Sequence, residues 1–301
     1  MLSRVAEDVY WMARYIERTQ NFARILAVRK TLGTQMANRE TWSDFLKVFG
    51  DPHADAWDDP FASLRHVLWD NQCPVSLCSS IIRARDNARM ARDVVSPEMW
   101  QILTRMHSRI NADQTLSDDA WCDEMLSHTV MDALTLESMA EATILQDEAY
   151  YFIRVGMLSE RALSTLRLLI STANTLPFWD NEPLYAVNAL KSVTGYGAFR
   201  RAYRHQLHVG DVVQFLLFES NFPRSAVGAA ANLLRALESL PGHGGLPRIY
   251  AGRLYAQLSY DTIDQVLDSS FEPYLWGLVS LFEKVHDSLM DRYFHPEVLE
   301  I

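Results

Sequence analysis

Apolar side chains near the start of the chain recur every three or four residues, at Leu2, Val5, Val9, Met12 and Ile16. This spacing places them on one face of an α-helix. Alternating runs of β-branched residues, which would indicate strands, do not occur along the sequence. The pattern predicts that the chain opens with a helix and that its fold is all-α.

Clusters of proline, glycine and aspartate interrupt the helical pattern, in residues 50–60, 111–119, 177–183 and 241–247. The longest stretches of helix-forming composition lie between them, in residues 75–95, 122–172 and 271–294. Pro74 and Pro223 stand where helices could begin, because proline is tolerated in a first helical turn. The sequence therefore predicts a multi-helix bundle with no low-complexity linker.

The chain also repeats a glutamate–arginine pair that is followed, six residues later, by another arginine. The first copy consists of Glu17, Arg18 and Arg24. The second copy lies 143 residues later and consists of Glu160, Arg161 and Arg167. Residues 46–47 recur at 190–191, and residues 68–76 recur in part at 217–225, at offsets of 144 and 149. Ordered repeats at nearly one offset predict an internal duplication. We expect a single domain over residues 1–301, built as a pseudo-twofold repeat from two similar helical halves, 1–143 and 144–301.

The first Glu–Arg pair lies in a helix that is apolar over most of its circumference. A turn of about 100° per residue gives a narrow polar stripe that contains Arg14, Glu17, Asn21 and Arg24, with Arg18 beside it. Such a helix is expected at the centre of a fold, and buried charges must be paired or must bind something.

Three interpretations of the repeated pair follow. The two glutamates could pair with arginines of neighbouring helices and fix how the two halves dock. The two copies could instead line one cleft, where arginine would bind a carboxylate, a phosphate or a peptide. A catalytic role is the third interpretation, although a carboxylate beside an arginine stays ionised and is a poor general acid.

The charge of the chain limits its partners. A net charge of −10 argues against a nucleic-acid backbone as the main ligand, because that ligand requires a basic face. The run that contains Arg83, Arg85, Arg89 and Arg92 places like charges four residues apart, which favours a solvated or internally paired face. Contact of this face with an anion or a partner is the alternative.

Neither a cofactor nor a metal is indicated by the spacing of chemically reactive residues. The three cysteines form no CxxC pair, so the sequence suggests neither a disulfide framework nor a zinc knuckle. His205, His208 and Asp211 have helical spacing, but solvated surface histidines explain them better than a metal site does. Recognisable nucleotide-binding loops and an HExxH motif are also absent from the sequence.

The sequence predicts a cytoplasmic protein that does not enter the membrane. Residues 7 and 8 are acidic, which does not suit the apolar segment of a signal peptide. Apolar runs in the sequence stay well short of the ~20 residues that cross a bilayer.

Four segments carry a resemblance to a known family: residues 1–18 with the first Glu–Arg pair, 80–89, 147–162 and 215–225. The chain resembles the bacterial alpha-E family, an all-helical family named for its Glu–Arg motif, over essentially its whole length. The repeat and the family motifs identify these candidate binding residues: Glu17, Arg18, Arg24, Arg85, Asn87, Arg89, Glu160, Arg161, Arg167 and Arg224.

The resemblance implies a partner. Similar proteins are typically encoded beside, or fused to, a circularly permuted ATP-grasp protein, often with a transglutaminase-like protease nearby. This association implies an accessory subunit of an ATP-grasp-type ligase system acting on peptide or amide bonds, through substrate positioning or complex assembly. The alternative is an enzyme, or a subunit that binds a peptide or an acidic small molecule, with its own cleft around the Glu–Arg motif.

Overall fold

Helices and their connecting turns make up the computed structural model, which describes residues 1–32, 41–112, 119–203, 207–267 and 271–295. The first six helices are α1 (Ser3–Leu32), α2 (Trp42–Phe49), α3 (Pro60–Trp69), α4 (Leu77–Met90), α5 (Pro97–Ala112) and α6 (Asp119–Thr143). They are followed by α7 (Glu148–Ser171), α8 (Pro183–Ser192), α9 (Tyr196–Ala202), α10 (Val209–Phe218), α11 (Ala226–Glu238), α12 (Gly245–Tyr260), α13 (Ile263–Leu267) and α14 (Phe271–Leu289). Within these residues no strand occurs, so the all-α prediction is confirmed.

Helices α1 and α7 lie at the centre of the molecule, and they pack against each other more extensively than any other pair of helices. They approach closely at Gly156, where an added Cβ atom would lie 2.4 Å from the carbonyl oxygen of Tyr10 and 3.3 Å from the Cβ of Ala13. Nearly every residue of α7 from Phe152 to Ile170 is buried. Central helices of this kind need apolar residues around their whole circumference, as the sequence pattern indicates.

The neighbours of the two central helices correspond to each other. Helix α1 packs against α4 and α6, and α7 packs against α11 and α14. Behind them, α5 joins α4 to α6, and α12 joins α11 to α14. Helix α2 reaches across to α7, and α8 reaches across to α1. The buried apolar residues from both parts of the chain form one continuous core.

The turns that lead into α4 and α11 have the same hydrogen bonds. The hydroxyl of Ser76 accepts the N–H of Ser79 at 3.0 Å and donates to the carbonyl of Asp70 at 2.6 Å. The hydroxyl of Ser225 accepts from Gly228 at 3.0 Å and donates to the carbonyl of Glu219 at 2.7 Å. Serine, a preferred N-cap, therefore sets each helix start, and the predicted starts at the two prolines are wrong by three residues.

The C-terminal ends of α2 and α8 also match. The carbonyl of Leu46 accepts the N–H of Asp51 at 3.0 Å, and the carbonyl of Leu190 accepts that of Gly195 at 2.7 Å. Between them, Gly50 and Thr194 have positive φ angles of 94° and 57°. This left-handed residue closes a helix and satisfies its last carbonyls. Both helices therefore end in the same way although only one of them has glycine at that point.

The long helical stretch expected over residues 122–172 is divided in two. Residues 144–147 separate α6 from α7. The carboxylate of Asp147 ends the interruption because it accepts the N–H of Ala149 at 3.0 Å and caps α7. Of the helices that the structure describes, none has the length and apolar character needed to cross a membrane.

Candidate functional site

The crossing of α1 and α7 brings the two Glu–Arg pairs together in the interior. Glu17 is 1% exposed, and it receives two parallel hydrogen bonds from Arg161 of α7. The Nε of Arg161 donates to Oε1 of Glu17 at 2.9 Å, and Nη2 donates to Oε2 at 2.8 Å. This bidentate geometry is the strongest form of an arginine–carboxylate contact. The predicted burial and pairing of Glu17 are confirmed.

The reverse contact is made by the second glutamate. Glu160 of α7 is also 1% exposed. Arg18 of α1 donates from Nε to Oε1 of Glu160 at 2.7 Å and from Nη2 to Oε2 at 3.1 Å. Each glutamate is therefore bound by the arginine that follows the other glutamate in sequence. The pairs connect the two central helices, as the docking interpretation of the motif requires.

Additional donors saturate both carboxylates. Arg14 donates to Oε2 of Glu160 from Nε at 3.0 Å and from Nη2 at 2.8 Å. Arg224, in the turn before α11, donates to Oε1 of Glu17 at 3.2 Å. The amide of Asn21 donates to the same oxygen at 3.0 Å. Neither glutamate is left as a free acceptor for a substrate proton.

The electrostatics of the cluster hold both carboxylates ionised. Burial alone would raise the pKa of Glu17, but the charges of Arg161 and Arg224 outweigh burial and lower it to about 2. Burial is likewise outweighed at Glu160, where Arg18 and Arg14 lower the pKa. A carboxylate that stays ionised near neutral pH cannot donate a proton, so the geometry does not support a general-acid role for either residue.

The third arginine of each repeat lacks a complete set of partners; Arg24 is buried and Arg167 is partly buried. Nη1 of Arg24 and Nε of Arg167 are enclosed, and neither atom has a hydrogen-bond partner among the described residues. Burial and the charge of Arg224 lower the pKa of Arg24 to about 9. Burial also lowers the pKa of Arg167, although Glu160 acts in the opposite direction. Unpaired buried donors are costly, so these two arginines call for an explanation.

The charges of the cluster do not cancel within the part of the chain that the structure describes. Arg161 has a second acceptor in Glu137 of α6, at 2.8 Å. Four glutamates, Glu17, Glu137, Glu160 and Glu283, thus face the six arginines Arg14, Arg18, Arg24, Arg161, Arg167 and Arg224. The centre of an acidic protein, with a net charge of −10, therefore carries an excess of positive charge.

A small cavity lies on the Glu160 side of this cluster. Its polar lining comes from Arg18, Glu160, Ser164 and Arg167, and its apolar walls are Phe22, Phe49 and Val75. Its volume of about 10 Å³ is what one water molecule or a single ligand oxygen needs. On the Glu17 side, Arg224 donates to the carboxylate. The residue 149 positions earlier in the sequence is Val75, which only lines the cavity on the Glu160 side. The cavity could accept one oxygen atom of an anionic group.

The other candidate residues do not join this cluster. Arg85 packs over the ring of Trp100 of α5, with its guanidinium carbon 5.2 Å from the ring centroid. The amide of Asn87 donates to the carbonyl of Arg83 at 2.8 Å, and the exposed Arg89 lies 3.7 Å from Asp86. The expected cleft between the Glu–Arg motif and residues 85–89 is therefore wrong for this cavity, because these side chains of α4 contact α5 or their own helix and do not line it.

Of the histidine set considered for a metal, His205 lies outside the described residues. His208 is exposed, and its Nδ1 lies 3.7 Å from a carboxylate oxygen of Asp180.

The sequence did not single out Glu137 or His286 as parts of the site, since neither belongs to a motif. His286 contacts the hydroxyl of Tyr10 at 2.8 Å, and its pKa falls to about 4 because of burial and the charge of Arg14.

The depressed pKa of Glu17 predicts a loss of stability in acid. The carboxylate stabilises the folded state above its unfolded pKa of about 4.3, and this stabilisation is lost as the pH falls toward the folded pKa of about 2. The loss from this residue should be roughly 3 kcal/mol. Urea unfolding at several pH values between 5 and 2 should therefore show a shallower acid dependence for Glu17→Gln than for the natural protein. Glu141→Gln, which changes an exposed carboxylate, should keep the acid dependence of the natural protein. The same acid dependence in the natural protein and in both variants would contradict the lowered pKa of Glu17.

Comparison with known proteins identifies a family with the same Glu–Arg motif. The model of the Alpha-E family, described as "a predicted alpha-helical domain with a conserved ER motif", matches residues 1–294. Three uncharacterized proteins, one from Mycobacterium bovis and two from Mycobacterium tuberculosis, are each 25% identical over 315 residues, which cover 96% of the chain and 36% of the relative. The chain thus spans about a third of the length of these relatives. No solved structure matches it. With its all-helical fold, its two Glu–Arg pairs and a family match over nearly its whole length, the chain belongs to the Alpha-E family.

Proposed function

We propose that this domain binds a carboxylate group beside the Glu–Arg cluster and positions the molecule that carries it for a partner ligase of the ATP-grasp type. The observation that carries the proposal is the buried, unpartnered Nε of Arg167 next to a cavity that Arg18 also lines. Arginine presents a planar set of donors that fits a carboxylate. A peptide terminus or an acidic small molecule would supply that group.

The charge of the site favours an anion over a neutral ligand. Both glutamates already accept arginine donors on both oxygens, and their charges do not outweigh the effect of burial on the pKa of Arg24 or Arg167. An isolated buried cation is expensive, and such a cost is retained at binding sites more readily than in a structural core. A bound carboxylate would complete the hydrogen bonds of Arg167 and reduce the excess positive charge.

The ligase part of the proposal rests on the family resemblance and on chemistry. An ATP-dependent ligase that forms a peptide or amide bond consumes a carboxylate and an amine, so a carboxylate site is a suitable positioning device. In the mycobacterial relatives, about two thirds of the protein lies outside the matched region, which is consistent with a helical domain that works beside another unit. A partner that consumes ATP would act in the cytoplasm.

We also propose that the domain is a single unit formed by duplication, with halves at 1–143 and 144–301 related by a pseudo-twofold axis. The reciprocal Glu–Arg pairs support it, as do the corresponding neighbours of α1 and α7. The matched serine caps and helix ends support it further. Ala13 and Gly156, which are 143 residues apart in sequence, touch where the two helices cross.

The proposed site predicts that Arg167→Met loses carboxylate binding without losing stability. Methionine keeps much of the side-chain volume but removes an incompletely paired buried charge, so the free energy of unfolding should stay the same or rise by up to about 2 kcal/mol. Glutarate should stabilise the natural protein in thermal melts, whereas Arg167→Met should show no glutarate effect. The neutral isostere glutaramide should have no effect on either protein.

Two controls make this result specific. Arg248→Met removes a surface arginine and should leave the glutarate effect unchanged. Arg161→Met removes the bidentate partner of Glu17 and should be strongly destabilising. Equal stabilisation by chloride and glutarate would contradict a carboxylate site, and so would a full glutarate effect in Arg167→Met.

The partnership needs a separate test. The domain should be co-purified with its ATP-grasp partner, and ATP hydrolysis with candidate amino acids should be measured with and without the domain. We expect the domain alone to be inactive and the pair to be faster with one substrate class, with Arg167→Met losing that stimulation. ATP turnover by the domain alone would contradict the positioning role.

A further inference from the structure

We propose that Asp51, His66 and Cys73 form a binding site for a divalent transition metal of the zinc class. One ligand atom from each of the three side chains lies within 4.8 Å of the other two, and all three residues are buried. Asp51 follows the end of α2, His66 lies in α3, and Cys73 lies in the turn between α3 and α4. Carboxylate, imidazole and thiolate are the three ligand types that zinc uses in proteins.

The surroundings of His66 have the geometry of a metal-bound histidine. Its Nε2 lies 2.8 Å from Oδ2 of Asp51, and its Nδ1 lies 3.0 Å from Oδ2 of Asp70. A neutral imidazole has one N–H and can satisfy only one of these carboxylates. With a metal on Nε2, Nδ1–H would donate to Asp70, which is the usual support for a zinc-bound histidine. The ring of Trp57 stacks on His66 at 4.1 Å and fixes its orientation.

The orientation of the Asp51 carboxylate is also set by its neighbours. Oδ1 accepts the backbone N–H of His53 at 3.0 Å, which leaves Oδ2 on the side of His66 and Cys73. Two carboxylates and a thiol lie around one imidazole, so positive charge is scarce at this site. A divalent cation would supply that charge, and three protein ligands would leave the fourth tetrahedral position for water.

The second half of the chain shows that the fold does not need polar residues at this place. On the proposed repeat, the three ligand positions recur at offsets of 144 and 149 as Gly195, Phe215 and Phe222. The rings of Phe215 and Phe222 stack with centroids 4.5 Å apart. A Cβ atom on Gly195 would lie 3.0 Å from Phe222 and 3.1 Å from Phe215, so these residues also meet in space. Hydrocarbon fills the corresponding position there, whereas the first half carries three potential ligands.

A metal at this site would connect separate elements of the first half of the chain. The ligands come from the end of α2, from α3 and from the turn before α4, so one ion would tie these elements together. The site is separate from the proposed carboxylate site, since none of its ligands lines the cavity beside Arg167. Failure of either proposal would therefore leave the other standing.

Cobalt substitution provides the direct test on the full chain. The purified protein is stripped with a chelator and titrated with Co²⁺ and then with Zn²⁺. We expect one equivalent of Co²⁺ to produce a thiolate-to-cobalt absorption band, and one equivalent of Zn²⁺ to remove it. Zn²⁺ should also raise the melting temperature of the stripped protein. A titration of the natural protein without the thiolate band would overturn the proposal whether or not any variant folds.

Single amino-acid substitutions show which side chains bind the metal. Cys73→Ser and His66→Gln should lose the band, whereas Cys78→Ser should keep it, because Cys78 is a buried cysteine outside the cluster. Asp70→Asn should weaken zinc binding by about 10-fold or more, since it weakens the acceptor of His66 and leaves the three ligands in place. Loss of the band in Cys78→Ser with retention in Cys73→Ser would place the metal elsewhere and overturn the assignment.

Discussion

Replacing Glu17 with alanine is expected to lower the free energy of unfolding by about 3–5 kcal/mol. The substitution leaves Arg161 without its bidentate partner and removes the carboxylate acceptor of Arg224, which keeps the amide oxygens of Asn21 and Gln20. Both guanidinium groups lie in a region that already carries excess positive charge. A buried ion pair adds little net stability when it is complete, but it is costly to break because the remaining charge stays buried. Equilibrium unfolding in urea at pH 7 measures the change.

Two comparisons separate this effect from the general cost of losing a glutamate. Glu141→Ala breaks a partly exposed pair with Arg154 and should cost no more than about 1 kcal/mol. The double variant Glu17→Ala, Arg161→Met should recover part of the loss, because it removes a buried cation that Glu137 would otherwise have to balance without Glu17. Near-natural stability of Glu17→Ala would contradict the central place of the ion pairs.

The sequence could predict the kind of fold and the burial of the motif. The helical spacing of α1 and its apolar circumference were sufficient to place Glu17 in the interior, and the elementary rule that buried charges are paired predicted an arginine partner. The repeat at an offset of 143 gave the equivalent prediction for Glu160. These inferences depend on local periodicity, which a single sequence records directly.

The identity of each partner could not be predicted in the same way. Arg18 binds Glu160 rather than a residue of its own helix because α1 and α7 cross at Gly156, and a crossing point is a property of tertiary packing. The same limit explains the wrong expectation for Arg85 and Arg89, whose contacts depend on how α4 meets α5. It also explains why the sequence did not predict a metal, since the proposed ligands are 15 and 7 residues apart and form no known motif.

Gly156→Ala is expected to destabilise the fold by about 3 kcal/mol or more, at the upper end of the usual cost of overpacking. The new methyl group would meet the carbonyl oxygen of Tyr10 at 2.4 Å and the Cβ of Ala13 at 3.3 Å. Backbone atoms of a central helix cannot move aside as the end of a flexible side chain can. The two helices would have to separate, and the bidentate contact between Arg161 and Glu17 would lengthen as they do.

Gly252→Ala is the matched control, because Gly252 lies within α12 and nothing stands within 4 Å of the added methyl group. Alanine is the better helix former there, so this variant should gain up to about 1 kcal/mol. The two glycine substitutions should therefore shift the urea midpoint in opposite directions. In addition, Gly156→Ala combined with Glu17→Ala should cost less than the sum of the single changes, because separated helices have already weakened the ion pairs. Strictly additive costs would show that the helix crossing and the Glu–Arg cluster are energetically independent, contrary to the geometry that joins them.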